Sequence, residues 1–191
     1  MFNTRSLLRA VHDIASGPLE NAHAMPPGMY LSDDILDLAI ERIFSADWVC
    51  VGRTADIPNA GDYLTFTVGN QPVAVIRQKD GHLKAVSNVC LHRMMILLKG
   101  HGNVRRVVCP YHAWTYDLDG RLIGAPHMDK TARFSARAMC LPELNLEVWE
   151  GWIYVTLNPD PVSISEQLKP LQDVVAKYAM ADYVPVVTED S

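Results

Sequence analysis

No apolar run in this 191-residue chain approaches the ~20 residues that a membrane-spanning helix needs. There is no secretory core either, because Arg5, Arg9 and His12 interrupt the apolar residues of the N-terminus. Net positive charge is also missing: the formal charge is -5, which argues against a nucleic-acid partner. Cysteine is scarce, at four residues, and without a secretory leader four cysteines do not indicate a disulfide framework. Repeats and low-complexity tracts are absent. These absences leave a cytoplasmic globular protein with no membrane and no nucleic acid among its partners, long enough for one domain and flanking pieces of another. One further gap is specific: none of the seven histidines lies beyond His127.

What is present divides by period. The segment MFNTRSLLRAVHDI places Leu7, Leu8, Val11 and Ile14 on one helical face, and the Pro/Gly-punctuated GPLENAHAMPPGM follows as a connector. In SDDILDLAIERIFSADW, Ser32 is an N-cap candidate with Asp33 and Asp34 at the positive helix end. Leu36, Ala39, Ile40, Ile43 and Phe44 form its apolar face. From Trp48 the pattern becomes strand-like: WVCVG, YLTFTV, PVAVIR, LKAVS, VRRVV, WTYDL, LEVW and WIYVTL, separated by GN, KDG, DLDG and EG turns. The fold class is therefore mainly β, a small antiparallel sandwich or barrel with flanking N- and C-terminal helices. After NPDP, Pro170 opens a helix carrying Leu171, Val174, Val175 and Tyr178, and YVPVVTEDS reads as an orphan strand. The expected division is 1–45 for the N-terminal helices and linker, 46–160 for the β domain, and 161–191 for a helix and strand.

Cys50 and Cys140 lie within apolar runs and read as buried small hydrophobes. Cys90 and Cys109 differ, because each is followed closely by a histidine: Cys90-x-His92, then Cys109-x-x-His112 around Pro110. Cys90 and His92, two apart in an extended segment, point to one side. Strands flanking the second pair put both pairs on loops at one end of the β domain, giving two thiolates and two imidazoles. Such a set serves a structural zinc. Zinc motifs, however, usually pair Cys with Cys and His with His, whereas here each loop offers one of each.

That mixed order resembles the Rieske motif, in which two His replace two Cys on one iron of a 2Fe–2S cluster. The resemblance implies that Cys90 and Cys109 hold one iron and His92 and His112 the other. Two Fe(III), two sulfides and two thiolates sum to zero charge, so an electron enters more easily than with four thiolates. Potentials in such centres run from about −150 to +300 mV. The wider likeness is to ring-hydroxylating oxygenase α subunits. It rests on Trp48, Val51-Gly52-Arg53, Gly61-Asp62-Tyr63, Pro72-Val73, Arg77, Asp80-Gly81, Asn88, His92-Arg93, Gly102-Asn103, CPYHAW and YDLDGRL, over roughly residues 30 to 160.

Respiratory Rieske proteins carry an extra disulfide, and here those positions are Met95 and Tyr111. Where they place a cluster-bonding Ser, this chain has Trp114. The resemblance thus implies a potential at the low end of the range, tuned by Arg93, Trp114 covering the cluster, and a Tyr116 hydroxyl within reach of a thiolate. Two departures stand out: Met94 and Ala113 replace glycines of the family pattern. His101 reads as exposed loop, and His82 and His127 carry no motif.

In that family the cluster relays electrons to a mononuclear Fe(II) held by two His and a carboxylate in a C-terminal domain. With no His after residue 127, that iron is expected only in a domain outside this chain, and the chain alone is not expected to hydroxylate substrate. The expected partners are a reductase or ferredoxin donor and, as acceptor, a catalytic domain or neighbouring subunit, in a homo-oligomer if one forms. A free-standing Rieske ferredoxin and a structural zinc domain are the competing readings. The ligand assignment carries a direct consequence. Replacing His112 by Cys adds negative charge beside the cluster, so His112→Cys is expected to keep the cluster and lower its midpoint potential in redox titration; an unchanged midpoint would mean that His112 is no ligand.

Overall fold

The structure is a computed structural model and describes residues 3–128 and 130–184. Three helices come first: α1 (Thr4–Ser16), α2 (Gly28–Leu31) and α3 (Asp33–Ala39), the last running into a π-helical turn over Ile40–Phe44. Ten strands follow: β1 Val49–Arg53, β2 Asp62–Val68, β3 Gln71–Arg77, β4 Leu83–Ser87, β5 His101–Asn103, β6 Val107–Val108, β7 Thr115–Tyr116, β8 Leu122–Gly124, β9 Glu143–Trp149 and β10 Trp152–Thr156. Two short helices, α4 (Ile164–Gln167) and α5 (Lys169–Val175), come after them.

All strand pairs are antiparallel. Seven strands form one sheet in the order β1-β10-β9-β4-β3-β2-β5, and β6-β7-β8 form a second, smaller one. Strand β3 explains the arrangement. Its sequence PVAVIR is apolar at consecutive positions, so both of its faces need cover. Val73 and Val75 enter one core with Ile57, Val68, Ala85, Ile153 and Val155. Ala74 and Ile76 face the other way, into a core that holds Cys90, Cys109, Trp114 and Tyr116. Ala85 and Val86 of β4 divide in the same manner. The two central strands are thus a wall between a purely structural core and the core that carries the Cys–His loops.

Several expectations change. VRRVV contributes only Val107 and Val108 to a strand, with Arg105 and Arg106 exposed before it. WTYDL contributes only Thr115 and Tyr116. Two strands gave no clear signal: β8, and β5, which makes His101 an exposed edge-strand residue paired with Leu64 rather than loop. Cys50 and Cys140 are exposed, not buried. Alternation is the cause: Val49 and Val51 pack inward on either side of Cys50, and Met139 and Leu141 do so around Cys140.

At α3 Ser32 has N-cap backbone geometry, but its side chain makes no capping bond. Ile35 is the residue it buries, while Leu36, Ile43 and Phe44 of the expected face stay exposed, the last two in the π turn. In α1 only Leu7 is buried.

The C-terminal arm lies back on the β9–β10 hairpin. Ser163 Oγ and the Ile164 amide donate to Glu147 Oε2 at 2.8 and 3.1 Å. Trp149 Nε1 donates to Gln172 Oε1 at 2.9 Å, and Gln172 Nε2 to Glu150 Oε1 at 2.7 Å. Arg53, stacked over Trp152, donates to the carbonyls of Met180 and Tyr183. Pro170 does open α5, yet Leu171, Val174 and Tyr178 remain exposed. The expected VPVV strand lies outside the described residues after Val184. Ile153 is fully buried in the structural core, so Ile153→Ala is expected to cost about 2–4 kcal/mol, read as a lowered urea midpoint.

Candidate metal centre

Cys90 and Cys109 begin two loops of matching backbone design. The Cys90 amide donates to the Met95 carbonyl at 2.8 Å and the Met94 amide donates back to the Cys90 carbonyl at 3.0 Å. The Cys109 amide donates to the Trp114 carbonyl at 2.8 Å and the Ala113 amide to the Cys109 carbonyl at 3.0 Å. In each loop the fourth residue after the cysteine, Met94 or Ala113, sits at φ 56°, in the left-handed region. These are the two positions at which the family pattern has glycine. The turn is kept, with a side chain present, at a strain of about 1–2 kcal/mol per residue. Leu91–Arg93 is part of this turn, not the extended segment expected from the spacing.

The base of the first loop is pinned by Asn88, which is buried. Its Nδ2 donates to the Leu98 carbonyl and its Oδ1 accepts from the Leu98 amide, both at 2.9 Å. The isolated bridge Val89–Ile96 closes the same loop. Nothing in the local sequence around Asn88 signals this role.

The loops put both cysteines in one buried cluster and bring the two histidine rings together. The Cys90 and Cys109 side chains are 0% and 2% exposed. The rings of His92 and His112 lie 4.7 Å apart, at 72° to each other. Both Nδ1 atoms are buried with no hydrogen-bond partner among the described residues. Burying a polar nitrogen unpaired costs about 1–3 kcal/mol, so two such atoms on adjacent rings beside two buried thiols define a site that protein atoms alone do not complete. The set of two sulfurs and two neutral imidazole nitrogens suits a soft transition metal. Burial foremost, and then His92 and Arg93 nearby, hold the His112 imidazole below its ordinary pKa, in the neutral form a ligand needs. Among the described residues no three His, Cys, Asp or Glu side chains converge on a single ion.

The residues around the four are arranged by packing. Trp114 stacks on His92 at 4.8 Å and 9°, and Phe134 backs it at 5.6 Å. Phe134 was not foreseen, since it lies in an irregular segment far along the chain. Tyr111 lies over His112 at 3.7 Å. Tyr116 Oη stands 3.4 Å from Cys90 Sγ and accepts the Leu91 amide at 3.0 Å. Burial, followed by the Cys90 contact, pushes its phenol pKa up, so Tyr116 stays protonated. Arg93 is exposed beside the histidines, and His101 is not among these residues.

A protein family described as "Rieske [2Fe-2S] domain" matches residues 47–141. Residues 47–141 are a Rieske domain. Its cofactor is accordingly a 2Fe–2S cluster of the kind held by two Cys and two His. The chain is 36% identical, over 88% of its length and 38% of the relative's, to the glycine betaine monooxygenase oxygenase subunit of Chromohalobacter salexigens. It is 32% identical, over 80% of its length and 41% of the relative's, to the carnitine monooxygenase oxygenase subunit of Escherichia coli strain K12. Among solved structures it superposes on a quaternary ammonium Rieske monooxygenase in complex with gamma-butyrobetaine with TM-score 0.80 at 29% identity, covering 89% of this chain and 49% of that one. For naphthalene 1,2-dioxygenase from Rhodococcus sp. the TM-score is 0.78 at 27% identity, with 90% and 39% covered. The chain thus spans about two fifths of the length of the curated relatives it matches. No helix among the described residues is long and apolar enough to cross a membrane.

In this Rieske domain the two left-handed positions give a stability test. Ala113→Gly relieves the backbone strain but adds unfolded-chain entropy, for a net gain of about 0.5–1 kcal/mol. A thermal midpoint raised by about 1–4 °C is expected, with Met94→Gly behaving alike.

Proposed function

We propose that Cys90 and Cys109 hold one iron of the cluster and His92 and His112, through Nδ1, the other. The observation that carries this is the pair of matched turns burying two thiols beside two imidazole Nδ1 atoms without partners. When bound, a Rieske cluster takes up and releases one electron at a time. The chain's own residues set the conditions for that exchange. Tyr116 accepts the Leu91 amide, which leaves its proton free to donate to Cys90 sulfur as charge accumulates there. Trp114, backed by Phe134, covers one face of the His92 ring. Arg93 supplies a positive charge at the edge of the site.

The reading extends to the whole protein as follows. The chain relays electrons from a reductase or ferredoxin towards a mononuclear non-haem iron in a catalytic domain or neighbouring subunit, in the cytoplasm. Residues 46–160 are the Rieske unit, 1–45 its N-terminal helices and linker, and 161–191 the segment leading towards that domain. Identities of 36% and 32% to the glycine betaine and carnitine monooxygenase subunits, against 30% to the benzene 1,2-dioxygenase α subunit, favour a quaternary ammonium monooxygenase as its setting.

The test is a ligand series read by iron and sulfide content and visible absorption. Alanine at any of Cys90, His92, Cys109 or His112 is expected to abolish the cluster. Cys50→Ser and Cys140→Ser, on exposed thiols, are expected to retain it in full. Wild-type protein binding one zinc and no iron would overturn the proposal.

A further inference from the structure

The C-terminal arm is held by unequal means along its length. Its first half is fixed at several points. Trp48 Nε1 donates to the Val162 carbonyl at 2.8 Å, Glu147 accepts from Ser163 and Ile164, and Gln172 bridges Trp149 and Glu150. Beyond Gln172 those anchors stop. Among the described residues, the only side-chain hydrogen bonds to residues 173–184 come from Arg53, the last residue of β1. Its Nη2 donates to the carbonyls of Met180 and Tyr183, the latter at 3.3 Å. No residue from 173 to 184 is fully buried, so little apolar burial adds to that hold.

The place where this stretch lies is prepared by the β9–β10 turn. Glu150 and Gly151 have φ of 50° and 79°, as a tight two-residue hairpin requires. The missing side chain at Gly151 matters for a second reason. A Cβ there would stand 3.0 Å from Ala181 Cα and 2.8 Å from Arg53 Nη2, so glycine lets the arm and the guanidinium close over the turn. Arg53 Cζ sits 4.5 Å from the centre of the Trp152 ring, which orients the guanidinium towards the arm. Its Nε is buried with no partner, and no carboxylate pairs with it, among the described residues. The hold is therefore weaker than that of a fully paired arginine. The arm reaches this place through Ala179, at φ 48° between the 3₁₀ turns Ala176–Tyr178 and Met180–Asp182. That conformation is costly for alanine and persists only where contacts hold it.

We infer that Arg53 is the latch of a two-position arm. With its guanidinium on the Met180 and Tyr183 carbonyls, residues 173–184 lie against the β9–β10 turn; without it they leave, while residues 162–172 stay. Because the partners are backbone carbonyls, the latch reads the path of the arm and not its side chains, and a single cation controls it. Packing alone is the competing account, with the aliphatic stem of Arg53 and the Trp152 ring as a floor. The lack of a buried side chain between residues 173 and 184 favours the cation. On the reading of residues 161–191 as the segment leading towards a catalytic domain, on which this consequence rests, the latch fixes the direction in which the chain leaves the Rieske unit. Arg53 is thus a positioning residue that acts without touching the candidate ligands.

The experiment is hydrogen–deuterium exchange of the whole 191-residue chain. The reporters are the amides of Asp182 and Tyr183, which donate to the Ala179 and Met180 carbonyls at 3.0 and 3.2 Å. Arg53→Met keeps an apolar stem over Trp152 and removes the donors. It is expected to exchange at these amides at least ~10-fold faster than the wild type, with Ile153 and Val155 of β10 unchanged. Arg53→Lys keeps a cation and a donor and is expected to recover most of the protection. Iron content and midpoint potential are expected to match the wild type in both variants. Exchange in Arg53→Met equal to the wild type, or in Arg53→Lys as fast as in Arg53→Met, overturns the inference. So does a displaced midpoint in Arg53→Met, or a rise in exchange shared equally by Ile153 and Val155, which would make Arg53 a residue of the fold as a whole. Absence of iron from the wild-type protein would instead overturn the cluster assignment, since exchange at the arm is read independently of iron content.

Discussion

Two imidazole nitrogens with no hydrogen-bond partner among the described residues, on loops that also bury two thiols, are the constraint around which this half of the molecule is organised. A protein interior satisfies its polar atoms, and leaving two adjacent ones unpaired is costly unless something else completes them. The backbone is shaped to hold them so. In each loop the cysteine amide and carbonyl are both tied within its own turn, and the turn closes only with a left-handed residue in fourth place. Met94 and Ala113 accept that conformation where glycine would adopt it freely.

The sheet supplies the platform. Because β3 and β4 bury residues on both faces, one side can be a core of valines and isoleucines with no chemical duty, while the other seats Cys90, Cys109, Trp114 and Tyr116. Loops anchored on such a wall are rigid at their bases: Asn88 and the Val89–Ile96 bridge fix one, and the β6–β7 pairing fixes the other. A rigid mount limits rearrangement when a centre changes charge, which suits electron transfer. The C-terminal arm is tied to the far edge by Glu147, Gln172 and Arg53, and presents Leu171, Val174 and Tyr178 outward.

Much of this was legible in the sequence, for identifiable reasons. The long strands have period-two or continuous apolar patterns, and β1 to β4, β9 and β10 appear close to where those patterns place them. The ligand motif is dense enough to be found without a fold, and the nearness of Trp114 and Tyr116 follows from short spacing. What escaped depends on contacts between distant segments. Strands β5 and β8 are three residues each, too short to show a period. The exposure of Cys50 and Cys140 turns on which way an alternating segment faces, and apolar neighbours alone do not fix that. Phe134 behind Trp114 and the capping role of Glu147 have no local signal at all.

Iron ligation by both His92 and His112 would engage the two buried nitrogens that have no partner among the described residues. Pulsed EPR of the one-electron-reduced protein, labelled with ¹⁵N-histidine, tests it most directly. The account predicts two strongly coupled imidazole nitrogens in the wild type and one in His92→Cys or His112→Cys. A reduced cluster coupled to no imidazole nitrogen, or to a single one in the wild type, would contradict it.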